Sequence, residues 1–233
     1  MTKSVPRTAV ALFVRQPLSG RVKTRLANDL GDQPACDLYV AMVTDILAQI
    51  TASGHPLFLF HDGVDSVCLP PEWIAASERV VRQTGDTLGE RMTAAFEQLF
   101  AAGMDRVIVV GSDIPGINTQ ILCEAFATLE SHDLVIVPAF DGGYCLIAFR
   151  GERFVPVILQ DMPWSTSRVL SATLEACATH RISCKLLDQL QDIDTQDDLT
   201  AYCRQPPLHA AATNSWLVRN GFTCPTTDSS PDR

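Results

Sequence analysis

Long hydrophobic runs are missing from this sequence. Its longest apolar stretches, Ala9 to Val14 and Asp133-Leu-Val-Ile-Val-Pro138, are strand-sized and far short of the ~20 residues a membrane span requires. Met1-Thr-Lys-Ser4 lacks the apolar stretch of a signal peptide, so a cytoplasmic chain is expected. Positive charge is scarce as well. With 18 Lys and Arg against 27 Asp and Glu, the net charge of −9 excludes the basic footprint of a nucleic-acid binder. The eight cysteines (36, 68, 123, 145, 177, 184, 203 and 224) form no Cys-x-x-Cys pair, the nearest two being Cys177 and Cys184. That spacing excludes a zinc cluster or dithiol motif and predicts small, mostly buried, reduced side chains. His55, His61, His132, His180 and His209 have no ligand spacing, and no internal repeat is found.

What is there describes one globular domain. The chain has 233 residues, 46% apolar and 19% charged, which excludes disordered and collagen-like classes. Strands are predicted at Thr8 to Arg15, Leu57 to Phe60, Arg79 to Gln83, Arg106 to Gly111, Asp133 to Ala139, Tyr144 to Phe149 and Cys184 to Leu187. Helical spacing runs from Ala35 to Ile50, with Asp32 as N-cap and Gly54 as stop. Thr87-Leu-Gly-Glu90 reads as a capping box, with Leu88, Met92, Ala95, Phe96 and Leu99 as the buried stripe behind it. Further helices are expected at Asn118 to Leu129, at Ser167 to His180 and from Thr195. Strands alternating with helices predict a three-layer α/β/α domain with a mostly parallel sheet. Tyr144 to Phe149 follows its predecessor too closely for a helical crossover, so that strand is expected to be antiparallel. The domain is placed at residues 1–204, followed by a C-terminal extension, 205–233. Its last part, Thr223 to Arg233, is polar with two prolines, and either frays or packs against a second copy in a homodimer.

Ligands of open parallel sheets sit outside the carboxyl ends of the strands, and polar segments gather at these ends. After the first strand comes Gly20-Arg-Val-Lys23-Thr24-Arg25, in which Gly20 allows close approach and two cations bracket Thr24 at a helix start. This suits a phosphate cradle, with solvated surface charge as the alternative. It is not a Walker loop, since the second glycine and the lysine spacing are absent. After the central strand, Gly111-Ser-Asp113-Ile-Pro115 offers a carboxylate for Mg²⁺ or Mn²⁺, or a turn aspartate. Asp141-Gly142-Gly143-Tyr144 combines a hydroxyl-binding or proton-accepting acid with close ligand approach, or is a hairpin turn. In Asp192-Ile-Asp194 both acids point to one side if the segment is extended, so one could ligate metal, while Asp198 forms a capping box with Thr195. Gln83-Thr-Gly-Asp-Thr-Leu88-Gly89 could grip a nucleotide base. Trp164 could line an acceptor pocket or be packed in the core.

Taken together, Gly20-x-x-Lys-Thr-Arg-Leu26, Gln83-x-Gly-Asp-x-Leu-Gly-Glu-Arg-Met92, Gly-Ser-Asp-Ile-Pro115, Asp-Gly-Gly-Tyr144 and Asp-Ile-Asp-Thr-x-Asp-Asp-Leu199 resemble a bacterial family of small nucleotide-diphospho-sugar transferases with the GT-A fold. The resemblance covers residues 8 to 204. The family is also similar to 2-phospho-lactate guanylyltransferases and, more distantly, to molybdenum-cofactor guanylyltransferases. The resemblance implies that Lys23 and Arg25 bind phosphates, that Asp113 and Asp194 hold the metal, and that the Gln83 to Gly89 segment meets the base. Asp141 and Tyr144 would face the sugar or acceptor. The sequence departs from the pattern in two places: the Asp-x-Asp motif of many such enzymes is reduced to Ser112-Asp113, and the glycine-rich loop to one glycine.

Three functions compete on this reading. In the first, a metal-dependent transferase uses a nucleoside-diphosphate sugar, with Asp141 activating an acceptor hydroxyl. The second is nucleotidyl transfer from a nucleoside triphosphate to an acceptor phosphate, in which Asp141 is dispensable because the acceptor is already ionised. The third is a non-catalytic nucleotide-binding module.

Overall fold

A computed structural model describes residues 6–63, 69–204 and 209–222. The expectations for Met1 to Ser4, Cys68, Cys224 and Thr223 to Arg233 lie outside the described residues.

Seven strands form one sheet: β1 (Thr8–Val14), β2 (Leu57–His61), β3 (Arg79–Arg82), β4 (Arg106–Val110), β5 (Leu134–Pro138), β6 (Tyr144–Arg150) and β7 (Cys184–Leu186). Their order is β3-β2-β1-β4-β6-β5-β7. β6 runs antiparallel to both β4 and β5, and every other pairing is parallel. The antiparallel strand is therefore where the short connection placed it. β1 and β4 are near-continuous apolar runs because both their faces are covered.

The helices are α1 (Thr24–Leu30), α2 (Asp32–Ser53), α3 (Pro71–Ala75), α4 (Leu88–Ala101), α5 (Thr119–Thr128), α6 (Val169–Thr179), α7 (Gln196–Cys203) and α8 (Ala211–Arg219). Strand alternation sorts them into two layers. Val10, Leu12 and Val14 face a core with α2, α5, α7 and α8, while Ala9, Ala11 and Phe13 face one with α4 and α6. α2, with 22 residues, is long and apolar enough to cross a membrane, yet Leu38, Met42, Ile46 and Ile50 are fully buried against the sheet and its neighbours. It is the core helix of one layer. The six described cysteines are free thiols; Cys36, Cys145, Cys177 and Cys203 are buried, Cys184 half-buried and Cys123 exposed.

Two local expectations are corrected. Asp32 does not cap α2: only Gly31, at φ 90°, separates α1 from α2 and occupies the N-cap, which makes Asp32 the first helical residue. Leu88 does not join the buried stripe of α4. It is 45% exposed, because the first turn projects beyond the sheet edge into the cleft described below.

α8 was not anticipated. Its apolar content is modest, but Trp216 and Leu217 are buried against α2, and the backbone N–H groups of Ala212 and Thr213 donate to the buried Asp45 carboxylate at 2.9 and 2.8 Å. An acidic partner from α2 thus satisfies the otherwise orphaned donors of the α8 N-terminus.

Candidate functional site

From β1 the chain proceeds to β2 on one flank, and from β4 to β5 on the other; the strand order divides between β1 and β4, and ligands of such sheets sit at the carboxyl ends there. There a cleft of about 760 Å³ is lined by residues following β1, β3, β4, β5 and β7, a size that suits a nucleotide with a second small molecule.

Lys23 lies deepest. Its side chain is only 5% exposed, and Nζ bonds to Asp113 Oδ2 at 3.3 Å and to Asp194 Oδ1 at 2.5 Å. The residue adopts the left-handed conformation, φ 49° and ψ 42°, at the N-cap of α1. For a non-glycine residue that costs about 1–2 kcal/mol, and here it accompanies a side chain directed inward to two carboxylates. Burial disfavours the ammonium, but Asp113 and Asp194 outweigh it and hold the Lys23 pKa above its ordinary value. Burial likewise disfavours the Asp194 carboxylate; Lys23, with smaller help from Arg25 and Arg15, holds its pKa below the usual range.

Asp194 reaches the cleft because the chain beyond β7 runs back along the sheet. Leu190 pairs with Ala139, and the Ile193 N–H donates to the Asp113 carbonyl at 3.1 Å. Ile193 is fully buried, so Asp192 and Asp194 both face the cleft. The capping box of α7 completes the arrangement, with Asp198 Oδ2 accepting the N–H groups of Asp194 and Thr195.

Thr24, Arg25, Gln83, Leu88, Asp141, Gly143 and Tyr144 also line this cleft, with Arg25 and Asp141 exposed. One oxygen of Asp141 accepts the Gly143 N–H at 2.8 Å, an Asx turn that shapes the loop. The Gln83 amide nitrogen donates to the Phe60 carbonyl at 3.0 Å, so its donor side ties strand ends together. The Tyr144 hydroxyl is buried and only the ring can face the cleft, edge-on to Trp164 at 6.2 Å. Trp164 lines the cleft and is partly buried against the α4 and α6 core.

Gly20, Gly89 and Gly142 lie outside the lining. Gly20 turns the chain at φ 76° beside Asp32. A Cβ on Gly89 would stand 2.0 Å from the Leu159 carbonyl oxygen, and one on Gly142 2.4 Å from that of Ser167. Both glycines let the 156–168 segment close onto α4 and the β5–β6 turn, forming one wall of the cleft.

Arg15, Arg91, Tyr39 and Asp192 complete the cleft. Arg15 had no motif to mark it, and Arg91, although inside the Gln83 to Met92 motif, carried no assigned role. Tyr39 belongs to α2, within the helical spacing of Ala35 to Ile50. Its buried hydroxyl bonds to Ser112 Oγ at 3.0 Å and accepts the Arg15 N–H at 2.8 Å, which links the ends of β1 and β4. Burial, then Asp141, Asp113 and Asp194, push the Asp192 carboxyl up to about 6.

Asp113 and Asp194 already share one positive charge, Lys23 Nζ, so their oxygens converge on a cation position. Hard oxygen donors of this kind fit Mg²⁺ or Mn²⁺. No group of three or more His, Cys, Asp or Glu forms a metal cage among the described residues. The remaining ligands would be water and the phosphates of a substrate, the usual arrangement for Mg²⁺.

The fold is shared with a crystal structure of a candidate nucleotide-diphospho-sugar transferase from Desulfovibrio desulfuricans G20, with a TM-score of 0.82 and 32% identity over 93% of this chain and 98% of that one. Two curated relatives are each 27% identical. One is a 2-phospho-L-lactate guanylyltransferase from Methanothrix thermoacetophila, matched over 58% of this chain and 59% of its own length. The other is a 3-phospho-D-glycerate guanylyltransferase from Phenylobacterium zucineum, matched over 79% and 85%. At this level the chain is a transferase of the nucleotidyl or nucleotide-sugar type. It belongs to the family described as "Uncharacterized protein conserved in bacteria (DUF2064)", which matches residues 45–166.

Proposed function

We propose that the protein is a nucleotidyltransferase, moving a nucleoside monophosphate from a nucleoside triphosphate onto a small phosphorylated acceptor. The observation that carries this reading is the set of four cations in the cleft: Arg15, Lys23, Arg25 and Arg91 line it among five aspartates, although the chain has only 18 Lys and Arg and a net charge of −9. Such a concentration of positive charge suits a triphosphate meeting a second phosphate. Both curated relatives are guanylyltransferases by name, with phosphorylated acids in those names.

In the reaction, an acceptor phosphate oxygen attacks the α-phosphorus, a new P–O bond forms, the α–β bridging bond breaks, and pyrophosphate leaves. Arg25 and Arg15 neutralise the phosphates and hold them in line. Asp113 and Asp194 would hold Mg²⁺ or Mn²⁺, which when bound supplies charge stabilisation on the phosphate oxygens. The Gln83 to Gly89 segment borders the base, with exposed Leu88 offering an apolar surface to its face. Asp141 need take no proton, since the acceptor is already ionised.

A second reading, glycosyl transfer from a nucleoside-diphosphate sugar, is favoured by the likeness to the Desulfovibrio structure. There Asp141 would deprotonate an acceptor hydroxyl. The two readings are separated by product. The protein is incubated with each nucleoside triphosphate and phosphorylated hydroxy acids, and in parallel with nucleoside-diphosphate sugars. Pyrophosphate release that depends on the acceptor supports the proposal; nucleoside diphosphate release without pyrophosphate refutes it in favour of glycosyl transfer.

A further inference from the structure

The position that the metal reading assigns to a divalent ion is held in this structure by the protein's own ammonium group. Lys23 Nζ is within hydrogen-bond reach of both Asp113 and Asp194, and its side chain is 5% exposed while theirs are 37% and 40% exposed. The carboxylates thus keep an open side toward the cleft, and the lysine closes the inner one. Two cations cannot share that point: an ammonium and a divalent ion a few ångströms apart would repel strongly in a partly buried site. Five acids, Asp62, Asp113, Asp141, Asp192 and Asp194, line the same cleft, so replacing one positive charge by two is electrostatically favourable there.

From this geometry we propose that Lys23 is an exchangeable internal cation. With no metal or nucleotide bound it neutralises Asp113 and Asp194. When a divalent ion arrives with a phosphorylated substrate, Lys23 yields the two carboxylates and turns its ammonium to the substrate's phosphates. This rests on the reading of Asp113 and Asp194 as metal-binding residues and extends it: metal and phosphates bind as a coupled pair, and metal alone binds poorly because it must displace Lys23. The lysine stem makes the exchange feasible, since four flexible carbons carry a compact charge that can swing while the backbone stays in place. The coupling is reciprocal, so phosphates that draw Lys23 away raise metal affinity by the same factor as metal raises theirs.

The test is direct binding of Mn²⁺ alone, by calorimetry and by the electron paramagnetic resonance of free Mn²⁺, to wild-type protein, Lys23→Met and Lys23→Met/Asp113→Asn. The expected result is at least tenfold tighter Mn²⁺ binding in Lys23→Met than in wild type, with the gain lost in the double variant. Equal or weaker binding in Lys23→Met overturns the exchange. A gain that survives Asp113→Asn places the ion elsewhere and overturns the metal reading itself. A second measurement uses the unaltered protein and needs no variant to fold. Lys23 is one of three lysines, so its side-chain ammonium resonance can be assigned by ¹⁵N-lysine labelling. Mg²⁺ with inorganic tripolyphosphate is expected to shift that signal and to lower its protection from exchange by at least tenfold. A signal unmoved by Mg²⁺ with tripolyphosphate overturns the proposal.

Discussion

Gly89→Ala changes one hydrogen into a methyl at the second position of α4. On helix propensity alone the variant should be more stable by about 0.5–1 kcal/mol. The packing says otherwise. The new Cβ would stand 2.0 Å from the Leu159 carbonyl oxygen and 3.0 Å from Trp164 Nε1. Leu159 belongs to a short 3-10 turn, Pro156–Leu159, whose Ile158 and Leu159 side chains are fully buried. The turn cannot swing aside without opening the α4 and α6 core. Overpacking costs about 1–3 kcal/mol; a 2.0 Å approach to a backbone oxygen belongs in the upper half of that range, which exceeds the propensity gain and leaves a net loss of about 1–2.5 kcal/mol. For a chain this size each kcal/mol is about 2–4 °C in Tm, so a fall of about 2–10 °C is expected in calorimetry. The displaced wall should also expose Trp164 to acrylamide quenching, while Trp73 and Trp216 stay buried. Leu88→Ala, next to it and 45% exposed, is the control and should shift Tm by less than about 2 °C. A Tm equal to or above wild type in Gly89→Ala would refute the reasoning, since propensity would then outweigh packing.

Three further outcomes are expected. Arg25→Ala should weaken nucleoside triphosphate binding by about 1.5–3 kcal/mol, the scale of a hydrogen bond to a charged group, with thermal stability unchanged; unaltered affinity by calorimetry removes Arg25 from the phosphate site. Asp141→Asn keeps an oxygen for the Gly143 N–H but loses the base, so pyrophosphate release should fall less than about tenfold; a loss above about a hundredfold, the scale of general-base catalysis, argues for proton abstraction. Asp133 is buried, and although burial opposes its ionisation, the Ser183 bonds and Arg153 outweigh it and hold its pKa below 3.8. The stabilisation is therefore complete above that value and is lost as pH falls through the lower native pKa. Asp133→Asn should cost about 2–3 kcal/mol at pH 7 and flatten the acid limb of stability measured by urea unfolding between pH 5 and 2. Parallel pH profiles for variant and wild type would show that Asp133 titrates equally in both states.

How much of this could be read from the residues depends on the range of the forces involved. The helix starts at Thr87 and Thr195 were legible because a capping side chain bonds a backbone N–H three residues away. The antiparallel β6 followed from a connection too short for a helix, which is a limit on chain reach. The convergence of the segments at Lys23, Asp113 and Asp194 was also expected, because a parallel sheet brings its strand ends together whatever their separation in sequence. Within about four residues, and wherever topology alone decides, the sequence was sufficient.

Tertiary structure decided what distant atoms do to one another. Lys23 meets acids 90 and 171 positions away, and no local pattern says that its charge is spent on carboxylates rather than left for phosphates. Gly89 looked like a ligand-binding glycine; only the Leu159 carbonyl beside it makes it a packing residue. Leu88 holds helical spacing with its buried neighbours, yet the sheet does not extend to cover it. α8 lacks a strong pattern because its stability comes from Asp45 and the face of α2, not from its own periodicity. In each case the residue type was visible in the chain, and its role was set by a partner whose position only the folded molecule determines.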